Sequence, residues 1–189
     1  MGAAVAIEMN ERRYKLALMS PSENCEKLAN ELGGIAVRGK AENAADTQAL
    51  FDATMEKYGR IYSLLIHVGV PPKGDLLNIA DEDWIKTNEM VLLRVITMSK
   101  LVTPIMKDQG GGSIVNITTF SAFEPSLTFP TSSVYRVGVS SFTKLYSDRY
   151  GSNNKKEMSS AWVYRQSRPT SKVRRKVDLQ ASRQCTRAR

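Results

Sequence analysis

Short apolar runs alternate with segments of helical periodicity along the first 152 residues. The apolar runs are bounded by glycine, proline or serine and predict strands at 14–20, 34–39, 61–70 and 113–120. Helical patterns are predicted at 3–12, from Pro21 to about Leu32, at 44–58, from Asp81 to about Met106 and at 132–150. Strands and helices therefore follow each other in strict alternation.

The second predicted helix begins with a capping signal. Ser20 can cap the helix, Pro21 suits the first helical position, and Glu23 stands three residues after Ser20, as in a capping box. The pair Gly33–Gly34 then predicts the helix end. This pattern predicts a helix that starts directly after the strand at 14–20.

The alternating order predicts the fold class. Strands with nearly continuous apolar runs, separated by helices, are typical of a parallel sheet that is covered on both faces. We therefore predict an α/β fold with a doubly wound, Rossmann-like parallel sheet in one domain at 1–152. The chain opens with a helix where such folds open with a strand, so the predicted sheet is incomplete.

The net charge of +8 comes from the end of the chain. Residues 153–189 contain 11 Lys and Arg against two acids, whereas residues 1–152 contain 16 against 17. Because the body is nearly neutral, we predict no basic face for nucleic acid. The tail has little apolar periodicity and is predicted to be a disordered basic segment.

Membrane and metal partners are also not expected. The sequence has no apolar run of the roughly 18 residues that a membrane helix needs and no signal peptide pattern. Cys25 and Cys185 are isolated and lack metal-ligand spacing. These features favour a reduced, cytoplasmic protein without a metal site.

Three segments resemble the short-chain dehydrogenase/reductase family. They are FDATMEKYGRIYSLLIHVG at 51–69, DEDWIKTNEM with LVTPIMKDQGGGSIVNIT between 81 and 118, and VYRVGVSSFTKLYSDRYGSNN at 134–154. The spacing between all three fits the family. The resemblance implies hydride transfer between NAD or NADP and a small carbonyl or alcohol substrate.

The resemblance also implies catalytic positions. Tyr135 fits the family's proton-transferring tyrosine, and Thr119 fits the hydroxyl that orients the substrate oxygen, with Ser121 as an alternative. A phenol of pKa about 10 is a poor base at neutral pH until a cation stabilises its phenolate. The family has a lysine four residues after the tyrosine, where Val139 stands, and Val91 stands at its supporting asparagine.

Another cation lies next to the tyrosine in sequence. Arg136 follows Tyr135 directly, but successive residues of a helix project about 100° apart. We therefore expect Arg136 to point away from the direction of Tyr135.

Cofactor positions follow from the same resemblance. Gly2 fits the last glycine of the family's Gly-rich turn. Ser20 fits the position after the family's second strand, where an acidic residue favours NAD and a basic residue favours NADP. His67 stands where the family has the Asn-Asn of its Asn-Asn-Ala-Gly motif, at the end of the strand at 61–70, and Gly69 fits the glycine of that motif. The family's first strand and earlier glycines would precede this sequence, so we expect an N-terminally truncated, impaired enzyme.

The two valines leave a second class of function open. Val91 and Val139 replace polar family positions inside the well-matched body, which favours a non-catalytic binding or scaffold subunit as the alternative. The family pairs subunits through the helices at 81–106 and 132–150, so we expect a homodimer or homotetramer. Residues that could supply a second apolar face are Met90, Leu93, Met98, Val102 and Phe142.

The basic tail departs from the resemblance. The family continues with a strand and a Pro-Gly loop after the helix at 132–150. Permitted codons for residues 160–168, when read in another frame, spell Leu-Pro-Gly-Phe-Ile, which the family has at this point. We therefore hypothesise a shift of reading frame between about Asn154 and Met158, which makes the sheet incomplete at both ends.

Overall fold

The computed structural model describes residues 2–67, 69–151 and 159–165. The helices are α1 (Gly2–Glu11), α2 (Asn24–Glu31), α3 (Ala44–Tyr58), α4 (Asp81–Asn88), α5 (Arg94–Asp108) and α6 (Pro130–Tyr150). The strands are β1 (Ala17–Ser20), β2 (Ile35–Arg38), β3 (Ser63–His67), β4 (Ser113–Thr119) and β5 (Ser159–Arg165). A π-helical segment, Glu89–Leu93, joins α4 to α5 and is called the π-turn below, and a 3-10 turn, Phe120–Ala122, follows β4.

All strand pairings in the described chain are parallel. One sheet has the order β1-β2, and the other has the order β3-β4-β5. Ala17 lies opposite Ile35 in the first sheet, and Ser63 lies opposite Ser113 in the second. Because β1 pairs only with β2 and β3 only with β4 among the described residues, each keeps one edge without a strand partner. The prediction of an incomplete α/β parallel sheet is confirmed.

The core lies where α3, α5, α6 and the π-turn pack against β3 and β4. Its members lose nearly all their contact with water, and each fully buried aliphatic side chain of this kind contributes about 1.5–3 kcal/mol. The largest fully buried side chains include Val91, Val95, Val102, Met106 and Ile114. The second sheet therefore has the larger share of the apolar packing.

The capping prediction for the second helix is wrong. The Ser20 hydroxyl accepts a hydrogen bond from the Ser22 N–H at 3.3 Å, and the Ser22 hydroxyl accepts one from the Asn24 N–H at 3.3 Å. Short serine side chains satisfy nearby backbone groups in turns as readily as in helices. The helix therefore starts at Asn24, and Pro21 lies in the turn before it.

The prediction for α3 is confirmed at both ends. The Asn43 side chain accepts a hydrogen bond from the Ala45 N–H at 2.8 Å, which caps the N-terminus. Gly59 has a φ of 67° and its N–H bonds to the Met55 carbonyl, so a left-handed glycine ends the helix.

The long helix predicted from Asp81 is interrupted. The backbone N–H of Arg94 bonds to the carbonyl of Glu89, five residues back, instead of the usual four. The Met90 carbonyl accepts a hydrogen bond from the Arg94 Nε at 3.0 Å. Sequence periodicity does not predict this change of helical pitch. The change directs the Arg94 side chain into the interior of the protein.

The predicted apolar face for subunit pairing is partly wrong. Met90, Met98 and Val102 lie inside the core of a single chain. Leu93 is exposed, and Phe142 packs partly buried against the core. The apolar side chains that α6 does expose are Val134, Val137 and Leu145.

The prediction of a disordered tail is wrong for one segment. Residues 159–165 form β5, which pairs with the whole of β4 from Ser113 to Thr119. Residues 152–158 and 166–189 lie outside the described residues, and so do the frameshift hypothesis and Cys185. No helix of the described chain is long and apolar enough to cross a bilayer.

The placement of Val139 can be tested by substitution. Its side chain is 4% exposed within the core. Val139→Lys buries an ammonium group without a partner and is expected to lower the free energy of unfolding by about 3 kcal/mol or more. Val139→Met, of similar length but uncharged, is the matched control and should cost about 1–3 kcal/mol from overpacking. Urea denaturation measures both, and equal losses would place position 139 at the surface.

Candidate functional site

Two predicted site residues meet at the carboxyl end of β4. The Thr119 Oγ1 and Ser121 Oγ atoms are 2.6 Å apart, so one hydroxyl donates to the other. The Thr119 Oγ1 also accepts a hydrogen bond from the Ser121 N–H at 3.3 Å, which caps the 3-10 turn. Thr119 is partly exposed and Ser121 is buried, so the pair is held rigidly with one member open to the surface.

Tyr135 has a different environment. Its ring is partly buried against the core and lies 6.0 Å from the ring of Trp84, measured between centroids. Among the described residues, no hydrogen bond joins its phenol to Thr119 or Ser121. Val139, one turn further along α6, packs in the core with Val91. The described contacts of Tyr135 are therefore with Trp84 and the core and include no hydrogen bond to the hydroxyl pair.

The buried cation at this end of β4 is Arg136. Its Nε donates to the Ser132 Oγ at 3.0 Å, and its Nη1 donates to the Ile117 carbonyl at 3.2 Å, two residues before Thr119. Arg136 is 5% exposed and Ser132 is 6% exposed. The prediction that Arg136 points away from Tyr135 agrees with these contacts.

Sequence reasoning missed the pair of Ser132 and Arg136. The two residues are four apart on α6, a spacing that places side chains on one helix face. That spacing is a signal in the sequence for a shared polar face, whereas the family resemblance points only to Tyr135. Only the packing of α6 on β4 identifies which helix face is polar at this end.

A second buried guanidinium lies near the first. Burial, and after it the positive charge of Arg94, lowers the pKa of Arg136 to about 10. Burial also lowers the pKa of Arg94, while the Glu42 carboxylate, 3.9 Å from the Arg94 Nη2, opposes that effect. This part of the protein therefore holds two positive charges out of water and close together.

The predicted cofactor positions are spread over the described chain. Gly2 is the exposed first residue of α1, and a Cβ added there meets nothing within 4 Å. The Ser20 hydroxyl is engaged in the turn before α2.

The other two cofactor positions lie nearer the hydroxyl pair. His67 is the exposed last residue of β3 and lies opposite Ile117 of β4. Gly69 follows, and a Cβ added to it would lie 3.6 Å from the Met90 sulfur, an ordinary contact. The carboxyl ends of β3 and β4 thus lie side by side, with His67 at the end of one strand and the hydroxyl pair after the other.

The pyrophosphate side of such a site is not provided by the described residues. A dinucleotide pyrophosphate needs a turn with several glycines between a strand and a helix N-terminus. The strand-to-helix turns of the described segments contain isolated glycines only. Those segments also contain no group of three or more His, Cys, Asp and Glu side chains that could hold a metal ion.

Comparison with known proteins identifies the family. A family model described as enoyl-(acyl carrier protein) reductase matches residues 1–156. An uncharacterised oxidoreductase from Thermotoga maritima is 31% identical over 123 residues, which cover 63% of this chain and 49% of that protein. A 3-oxoacyl-[acyl-carrier-protein] reductase from Synechocystis sp. is 31% identical over 119 residues, covering 63% and 48%. The chain belongs to the short-chain dehydrogenase/reductase family.

Solved structures agree with the fold. A crystal structure assigned to a short-chain dehydrogenase/reductase from Burkholderia xenovorans superposes with a TM-score of 0.75 at 21% identity, covering 92% of this chain and 68% of that chain. The likeness extends to the fold alone. The chain spans about half the length of the curated relatives named above, with 49% and 48% of their lengths matched.

Proposed function

We propose that the protein is an oxidoreductase that transfers hydride between NAD(P) and a carbonyl or alcohol carbon. Proteins of its family generally use NAD(P), which when bound supplies or accepts the hydride. The observation that carries the proposal is the hydroxyl pair of Thr119 and Ser121 at the end of β4, together with the buried pair of Ser132 and Arg136, which is bonded to the same strand at Ile117. Hydroxyl donors fixed at the end of a parallel strand can hold a substrate oxygen in one orientation.

The proton step is assigned to Ser132 and Arg136. Because the Arg136 Nε donates to the Ser132 Oγ, the Ser132 O–H proton is left free to be donated elsewhere. When the carbonyl carbon gains a hydride, its oxygen becomes an alkoxide and takes that proton, and Ser132 takes one from Arg136. An alkoxide is far more basic than a guanidinium of pKa about 10, so the transfer is favourable.

The family resemblance assigns this step to Tyr135 instead. A tyrosine acts near neutral pH when a cation stabilises its phenolate, and position 139 offers only an apolar side chain. The Arg136 guanidinium is hydrogen bonded to Ser132 and Ile117. These contacts favour the serine–arginine pair over Tyr135.

Matched variants separate the two assignments. We expect Arg136→Met to lower kcat for reduction of carbonyl compounds by about 100-fold, whereas Tyr135→Phe should change it by less than about twofold. The assay follows NADH or NADPH oxidation by the full chain with a panel of aldehydes, ketones and 3-oxoacyl thioesters. Circular dichroism and thermal unfolding of each variant control for folding.

Two results would redirect the proposal. Loss of activity in Tyr135→Phe with activity kept in Arg136→Met would assign the proton step to Tyr135. Binding of NADPH, seen by its fluorescence, without turnover of any carbonyl compound would favour the alternative of a non-catalytic binding or scaffold subunit.

The pH profile provides an independent check. Arg136 must be protonated to supply a proton, and its pKa is lowered to about 10. The rate of carbonyl reduction is therefore expected to be level towards neutral pH and to fall as pH rises through about 10. Alcohol oxidation needs the deprotonated form and should rise over the same interval. Arg136→Met should abolish the pH dependence near pH 10 for both carbonyl reduction and alcohol oxidation. If that pH dependence persists in the variant, it belongs to another titrating group.

We also propose self-association through α6. Val134, Val137 and Leu145 lie on one face at helical spacing and are 53%, 45% and 65% exposed. A second copy of the same helix supplies a matching face about a twofold axis. Sedimentation equilibrium should show a dimer, and Leu145→Lys should shift it towards monomer. A wild-type chain that is monomeric at high micromolar concentration would contradict this.

A further inference from the structure

A cavity lies between the segment that precedes α3 and the π-turn. Its volume is 260 Å³. Its polar lining consists of Glu42, Thr47, Glu89, Arg94 and Thr97. None of these residues belongs to the hydroxyl pair or to the proton step assigned above, so the cavity is a separate feature of the protein.

Arg94 is held in a fixed orientation in the wall of this cavity. The π-turn directs the Arg94 N–H to the Glu89 carbonyl, and the Met90 carbonyl receives the Arg94 Nε at 3.0 Å. The side chain of Arg94 is 7% exposed although it carries a full charge. A guanidinium anchored through Nε presents its two terminal nitrogens as a preformed fork.

The positive charge of the Arg94 guanidinium is incompletely neutralised by its neighbours. The Glu42 Oε1 lies 3.9 Å from the Arg94 Nη2, which is beyond hydrogen-bond distance, and the Glu42 side chain is 38% exposed. Arg136 is a second buried positive charge, and its pKa is lowered in part by the charge of Arg94. A buried guanidinium is stabilised best by a bidentate, hydrogen-bonded oxyanion, which Glu42 does not provide in this position.

We propose that the cavity binds a small oxyanion, a phosphoryl or carboxylate group, which forms a bidentate pair with Arg94 and displaces Glu42. The terminal nitrogens of Arg94 donate to two oxygens of the ligand, and the Thr97 hydroxyl in the cavity wall can donate to a third. Glu42 then acts as an internal competitor that occupies the site loosely when no ligand is bound. The inference does not depend on hydride transfer.

Isothermal titration of the full chain with sodium phosphate and, separately, with sodium acetate tests the proposal. Ionic strength is held constant with sodium chloride, so that general screening is the same in every titration. Binding of phosphate alone identifies a phosphoryl site, whereas binding of both anions identifies a site for either oxyanion.

Two charge-matched variants locate the binding. Glu42→Gln removes the competitor and should tighten oxyanion binding on the order of threefold, the range of an exposed ion pair. Glu89→Gln removes the same charge from the same cavity but no ion pair with Arg94, and it should change the affinity by less than about half as much. Both side chains are exposed or partly exposed, so both variants are expected to fold.

Arg94→Lys keeps the charge but loses the fork, and it should weaken binding by about tenfold. The proposal is overturned if neither the wild-type chain nor Glu42→Gln binds either anion at tens of millimolar. It is equally overturned if Glu89→Gln tightens binding as much as Glu42→Gln does, since the anion would then respond only to net charge. Phosphate bound elsewhere on the chain would be insensitive to Glu42→Gln, which also overturns the assignment to Arg94.

Discussion

The polar contacts that tie α6 to β4 fix the positions of the candidate site residues that lie on these two elements. The Arg136 guanidinium donates to the Ile117 carbonyl at 3.2 Å, and the Asn116 side chain donates to the Thr143 hydroxyl at 3.0 Å. Burying a guanidinium and an amide without partners would cost several kcal/mol, so these bonds allow only one register of α6 on the strand. In that register, the polar N-terminal turn of α6 lies beside the end of β4, and Val139 and Tyr146 lie in the core.

The π-turn is the second constraint, and it explains the other buried charge. One extra residue in the turn changes which side chains face inward, so that Val91 enters the core and Arg94 reaches the wall of the cavity. The positive charge of Arg94 then contributes to lowering the pKa of Arg136. A ligand that neutralises Arg94 would therefore also raise the pKa of Arg136, which couples the proposed oxyanion site to the proposed proton step.

Membership of the short-chain dehydrogenase/reductase family defines the fold. It also leads us to expect chemistry at the carboxyl ends of the strands, but several side chains there differ from the family pattern. Thr119 and Ser121 keep a pair of hydroxyls at the end of β4. Tyr135, which the resemblance implies as the proton-transferring residue, packs against Trp84. Ser132 and Arg136 form a buried polar pair on the same helix. The proton step in this chain is therefore a question about its own residues, which family membership alone does not answer.

The sequence by itself determined the features that depend on neighbouring residues. The apolar runs predicted β1 to β4 and their parallel arrangement, and the helical spacing of apolar residues predicted α3 at residues 44–58, because both patterns are local. The resemblance placed Thr119 and Ser121 at a strand end. Only the tertiary structure decided the start of α2, the π-turn, the pairing of β5 and the face of α6 that points inward. These depend on contacts between residues far apart in the chain. The spacing of Ser132 and Arg136 places them on one face of α6, but only the bond from Arg136 to the Ile117 carbonyl of β4 turns that face inward.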